Sequence, residues 1–234
     1  MNNIGWGIIG VPNGFQHISQ GMTANETINR LDERIRREEY KEESLFAVIY
    51  DTPIVESGKS RQLMVYFVQY NFAKETEKDR LGSFYGSYIA LPGRLPSNIE
   101  CCKEIVRVLQ ELSCYNQEIF MEGDKFKKNY SNDYELPPEL GEAVEKIIKN
   151  TVMGELPTEK FDIKKSIIVY ANSPSEVFLN SVELYDIYSR IYTSNNEDYC
   201  RYIDEGSNAN YKELADLEKE SFDIVEARRI EQER

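Results

Sequence analysis

Residues 79–91 read DRLGSFYGSYIAL, a charged opening that gives way to an aromatic and aliphatic run of strand length. Upstream lies the most apolar stretch of the chain, Leu63 to Val68 followed by Tyr70. Downstream, Leu91-Pro92-Gly93 leads into the best-marked helix. A strand over residues 81–91 therefore joins a sheet to its covering layer and sits inside that sheet. Gly82 and Gly86 fall four residues apart, on one face, where they leave a groove or admit a close neighbour.

Working back from that strand, residues 62–72 alternate Leu63, Val65 and Phe67 with Met64, Tyr66, Val68 and Tyr70, so both faces are apolar and both are covered. Residues 45–50 form a further strand, antiparallel to it, and residues 4–10 a short buried one. Val11-Pro12-Asn13-Gly14 is a turn, after which residues 15–22 return extended. Ile28, Leu31 and Ile35 give residues 24–43 a narrow helical stripe.

Working forward, Ser97-Asn-Ile-Glu100 has the form of a capping box, and Ile99, Cys102, Ile105, Val106, Leu109 and Leu112 make a face broad enough to lie on a sheet. Residues 123–135 are polar and read as a surface loop. Pro137-Pro138 opens a second helix that ends near Asn150. Residues 165–171 are a strand, and Asn172-Ser-Pro-Ser175 precedes a short helix through Val177, Phe178 and Val182. Residues 188–193 and 199–203 are read as strands flanking a turn, with a helix over 185–192 as the competing assignment. Residues 210–234 read as one charged helix whose seam is Leu214, Leu217, Ile224 and Val225.

The expected fold class is thus α+β: a mainly antiparallel sheet covered by helices, with a charged C-terminal helix. The expected division is an α+β domain over 1–206 and a helical connector or assembly segment over 207–234. From Asn195 onward twelve acidic residues face six basic ones, almost half of the excess behind the chain's net charge of −13. The connector expectation has an alternative, an ordinary C-terminal helix docked through Leu214, Leu217 and Ile224.

That charge argues against direct contact with nucleic acid, whose bound counterions are displaced by basic side chains. No apolar run approaches the roughly 20 residues of a membrane span, and Met1 opens no leader-like segment, so a cytoplasmic chain is expected. The four cysteines contain no CxxC and read as reduced structural thiols.

Chemical motifs fade on inspection. Gly5-Trp-Gly7-Ile-Ile-Gly10 matches GxGxxG, but a dinucleotide site needs a strand before it and a helix after it. Gly58-Lys59-Ser60 resembles the end of a phosphate loop, with Pro53 where the first glycine belongs. One histidine, His17, excludes multi-histidine zinc sites. Accordingly no cofactor, no metal and no catalytic residue is assigned. Asp79-Arg80 reads as a turn ion pair or as half of a binding site. The tyrosines that crowd the last quarter, Tyr188, Tyr192 and Tyr202 among them, suit either a protein interface or a half-buried sheet face.

One resemblance gives these fragments a context. Gly10-x-x-x-Gly14-Phe-x-His17-Ile-Ser19, followed by Asp79-Arg80-Leu-Gly82-Ser-Phe-Tyr85 and the rest of that strand, resembles the N-terminal domains of GTPase-associated proteins from bacterial conflict operons. Those domains open on a Gly-x-Gly-His-Ser type strand and carry a later Arg-x-Gly strand motif. Here Phe15 and Gln16 separate Gly14 from His17, and the likeness spans at most the first half of the chain. It implies an interaction or sensing module beside an effector or NTPase, with no catalytic residue carried over. The expected function is therefore a non-enzymatic, protein-binding module in a bacterial defence or regulatory assembly, its partner a second copy or an effector subunit. The candidate contact residues are His17, Asp79, Arg80, Tyr85, Tyr188, Tyr192 and Tyr202. The competing expectation is a hydrolase with a dispersed site in which His17 works with Asp51 or Asp79.

Overall fold

The computed structural model describes residues 4–21, 28–32, 39–52, 62–76, 83–156, 165–206 and 209–234. Eight of the strands form one sheet: β1 (Gly5–Gly10), β2 (Gln16–Gln20), β3 (Leu45–Asp51), β4 (Met64–Ala73), β5 (Ser83–Pro92), β10 (Ser166–Tyr170), β11 (Arg190–Ser194) and β12 (Ala209–Glu213), in the order β12-β10-β11-β3-β4-β5-β1-β2. Two two-stranded ribbons complete the set, β6 (Arg94–Pro96) with β9 (Thr151–Met153) and β7 (Met121–Glu122) with β8 (Lys125–Phe126). The helices are α1 (Ile99–Phe120), α2 (Pro138–Lys149), α3 (Pro174–Leu184), α4 (Glu197–Gly206) and α5 (Leu214–Gln232). The expected α+β class is what the chain adopts.

The sheet has two halves. From β2 to β11 every neighbour is antiparallel. β10 pairs in parallel with both β11 and β12. Parallel neighbours require crossovers, and α3 and α4 supply them. The two crossovers run in opposite directions along the sheet, so a common handedness sends their helices to opposite faces. α3 accordingly packs Val177 and Leu184 on Ile167, Val169 and Ile191, while α4 packs Tyr199, Cys200 and Ile203 with Ile168 and Tyr192.

Period-two alternation in β4 does what its sequence implies. Val65 and Phe67 join α1, α2 and Phe178 on one face, and Tyr66, Val68 and Tyr70 lie on the other with Ile28, Leu31 and α4. All five strand residues are fully buried. α1 lies over β5 and β1 through a buried polar seam. Ser87 Oγ donates to the Leu109 carbonyl at 2.6 Å, and Asn116 Nδ2 donates to the carbonyls of Ile9 and Gly86 at 3.1 and 2.8 Å. Tyr130 Oη lies 2.8 Å from the Ile9 carbonyl and 2.9 Å from Asn116 Oδ1. Gly10 makes the Tyr130 contact possible, since a Cβ there would stand 2.4 Å from the Tyr130 hydroxyl, and a Cβ at Gly86 would stand 1.8 Å from the Gln69 carbonyl oxygen. Gly86 thus admits a close neighbour, the backbone of β4. Gly82 lies outside the described residues.

Four sequence expectations need correction. Residues 199–203, read as a strand, belong to α4, because parallel β11 and β12 need a helix between them, and Tyr199, Cys200 and Ile203 supply its buried side. Residues 210–213, read as the start of the tail helix, belong to β12 (Ala209–Glu213), whose backbone completes the ladder beside β10. The capping box closes one residue late. Asn98 Oδ1 accepts the Cys101 amide at 2.8 Å, whereas Ser97 Oγ is drawn off to the Asn150 carbonyl at the end of α2. The polar loop over 123–135 in fact contributes the buried Phe126 and two half-buried tyrosines, Tyr130 and Tyr134, whose rings stand edge-on to Phe120 at 4.6 and 5.0 Å. Of the helix read over 24–43, most lies outside the described residues. Ile28 and Leu31 are buried on the sheet, the latter within a short 3-10 turn (Asn29–Leu31).

Candidate functional site

β2 is an edge strand of the sheet, and its alternation sends Ile18 to the α1 face and His17 and Ser19 to the other. His17 is half-buried beside Phe15, whose ring also approaches Phe84. Its Nδ1 lies 2.8 Å from Ser19 Oγ, and the buried Tyr88 donates its hydroxyl proton to the same Oγ at 2.6 Å. Since Tyr88 supplies one proton to Ser19, the serine hydroxyl is free to give its own to a neutral His17. Burial favours that neutral ring by holding His17 below its ordinary pKa. The result is a three-residue chain, Tyr88 to Ser19 to His17.

Asp51, one of the two carboxylates expected to work with His17, does not join it. The His17 row runs through Ile9, Gly86 and Tyr70 to Leu45, four strands away and six residues from Asp51 on β3. That is roughly 19 Å across the sheet and roughly 20 Å along it. Asp51 instead accepts from Arg30 Nη1 at 2.6 Å and from the Thr52 amide, and desolvation raises its pKa despite the arginine. Asp79 and Arg80 lie outside the described residues. Among the described residues no carboxylate hydrogen-bonds to the His17 ring, and none of their His, Cys, Asp and Glu side chains gather into a group that could hold a metal.

The candidate tyrosines are dispersed. Tyr85 packs against the α1-side core. Tyr188 donates to Glu220 Oε1 at 3.0 Å beneath the Lys212 ammonium. Tyr192 is buried on the opposite face, and Tyr202 packs there against Tyr40, ring centres 5.3 Å apart. They form no common surface. The cysteines divide similarly: Cys101, Cys102 and Cys200 are buried, with thiols that desolvation pushes up to about 11, 12 and 12, and Cys114 is exposed.

Two places went unread in the sequence. The first is the end of the β10–β11 pair, where the chain leaves for opposite faces, a position at which open α/β sheets bind ligands. Several of its polar groups are used internally here, while the buried Thr193 hydroxyl has no hydrogen-bond partner among the described residues. Asn196 caps α4 through the Tyr199 amide and donates to Glu43, and the Ala171 amide bonds the Ser194 carbonyl. The second is a pair of exposed apolar strips. Val152, Met153 and Leu156 lie on and after β9, and Phe222, Val225 and Ile230 lie on α5, where Phe222 is 69% exposed. For α5 the signal was present in the sequence, since Phe222 lies off the Leu214–Leu217–Ile224 seam. Compared with known protein families, curated proteins and solved structures, the chain matches none of them. No helix among the described residues is long and apolar enough to cross a membrane.

Proposed function

We propose that this chain is a non-enzymatic protein-interaction or sensing module that works in the cytoplasm within a bacterial defence or regulatory assembly. The observation that carries the reading is the exposure of large apolar side chains on and after β9 and on α5, where Phe222 and Val225 stand one turn apart. Patches of this kind mark contact surfaces, whereas single exposed apolar residues need no explanation. The placement in a conflict system is supported by the resemblance over Gly10–Ser19 and residues 79–91. A photo-crosslinking amino acid at Met153 or at Phe222, introduced in native-host cells, should give discrete protein adducts. The same group at Glu111, on the polar face of α1, should give none. Equal labelling at all three positions, or none at any, contradicts the reading.

The chain from Tyr88 through Ser19 to His17 favours a second reading, a hydrolase with Ser19 as nucleophile and His17 as base. Under the interaction reading a fluorophosphonate leaves the protein unlabelled. Labelling that disappears in Ser19→Ala and in His17→Gln would establish the hydrolase instead.

A further inference from the structure

We propose that the outward face of α5 is a self-association surface on which α5 of a second copy of this chain packs antiparallel. The proposal rests on the interaction-module reading and names the partner for one of its two strips. α5 turns Leu217 and Ser221 inward, with Ile224 half-buried against the same core and Arg228 tied to Glu183 and Asp186. Away from that side, Ala215, Glu218, Phe222, Val225, Arg229 and Gln232 recur at alternating spacings of three and four, and all six are exposed. This is the spacing of a helix-pairing seam.

The order of residues along the seam selects the partner. About a twofold axis between positions 223 and 224, Phe222 meets Val225 of the other copy, Glu218 meets Arg229, and Ala215 meets Gln232. The large apolar residues face each other and each charge faces its opposite, as an isologous interface requires. Centring the axis on Phe222 instead sets Glu218 against Glu226, so like-charge repulsion disfavours that register. Among the described residues Arg229 is held by exposed pairs to Glu226 and Glu233 of its own chain segment. Such pairs exchange partners at little cost. One helix pair buries less than the roughly 1,200 Å² of a standard interface, so the dimer is a weak one.

Sedimentation velocity of the purified chain over a concentration series tests this at about 0.15 M salt, where surface pairs are already screened. The wild-type protein should shift from monomer to dimer, and Phe222→Glu should stay monomeric with an unchanged circular-dichroism spectrum. Glu218→Arg and Arg229→Glu should each weaken self-association about tenfold or more, through like charges across the axis. An equimolar mixture of those two variants should restore the dimer, because the charge at position 218 of either copy then faces its opposite at position 229 of the other. That rescue separates a lost interface from a lost fold. A wild-type chain that stays monomeric throughout, or a mixture that fails to associate, overturns the proposal. The crosslinks at Met153 and Phe222 decide the broader reading independently: adducts to a different protein at Phe222, from a monomeric chain, would sink self-association and leave the module standing.

Discussion

α1 and α5 lie on the same face of one sheet, yet they are held in different ways. α1 is anchored under cover: Ser87, Ser113 and Asn116 are buried and hydrogen-bonded, and Ile105, Val108, Leu109 and Leu112 are fully buried beside them. α5 contributes one fully buried apolar residue, Leu217, and is otherwise tied by Arg228 to Asp186 and Glu183 and by Lys212 and Tyr188 to Glu220. Buried polar ties are costly to break because they leave desolvated partners behind. Partly exposed ion pairs contribute little. The antiparallel half is therefore fixed, and the β12–α5 unit is attached by a shallow seam that leaves its far side available.

The sharpest test of the contrast lies where the halves meet. Phe178 of α3 is fully buried against Phe46 and Phe67, so Phe178→Ala should cost about 3–5 kcal/mol in denaturant unfolding. Asn116→Ala removes the donor to the Gly86 carbonyl and one of two side-chain donors to the Ile9 carbonyl, which keeps the Tyr130 hydroxyl, and should cost about 1–3 kcal/mol. In the shallow half, Arg228→Ala should cost less than about 1 kcal/mol, and less still at high salt. If Arg228→Ala proves as damaging as Asn116→Ala, the two attachments are equivalent and the contrast fails.

The smallest expected effect is a pH dependence at the other edge of the sheet. Burial depresses the His17 pKa in the fold, so below the unfolded-state value of 6.5 the unfolded chain takes up the proton first. Its contribution to stability is present in full above that pH and is lost as pH falls toward the lower folded value. His17 is the single histidine in the chain, so the difference between wild type and His17→Gln isolates it. The variant should lose less stability than wild type on acidification from pH 7, and parallel profiles would show the ring to be unperturbed.

The antiparallel strands were legible because their side chains face two covered surfaces and their sequences alternate accordingly. Tyr66 and Phe67 report opposite faces of β4 without reference to the rest of the chain. The parallel trio was not legible in this way. Residues 199–203 are short and rich in strand-favouring Tyr and Ile, residues 209–213 are short and polar, and their assignment as helix and strand follows from the β10 ladder rather than from local propensity. Ser194-Asn-Asn-Glu197 held the missed cue, an N-cap directly after an apolar strand. Ser97 misled by one position because its hydroxyl has a distant partner, Asn150, that no local pattern reveals. Of the candidate site, His17 was found, but its contacts with Ser19 and Tyr88 depend on strand register and could not be.

Native-state hydrogen exchange addresses the shallow attachment of β12 and α5 most directly. Peptides covering Ala209–Glu213 and Leu214–Gln232 should exchange through a local opening whose rate is insensitive to low denaturant, while peptides covering Met64–Ala73 and Ser83–Pro92 exchange only on global unfolding. Equal protection of all four segments, collapsing together in denaturant, would contradict the account and make α5 as integral to the core as α1.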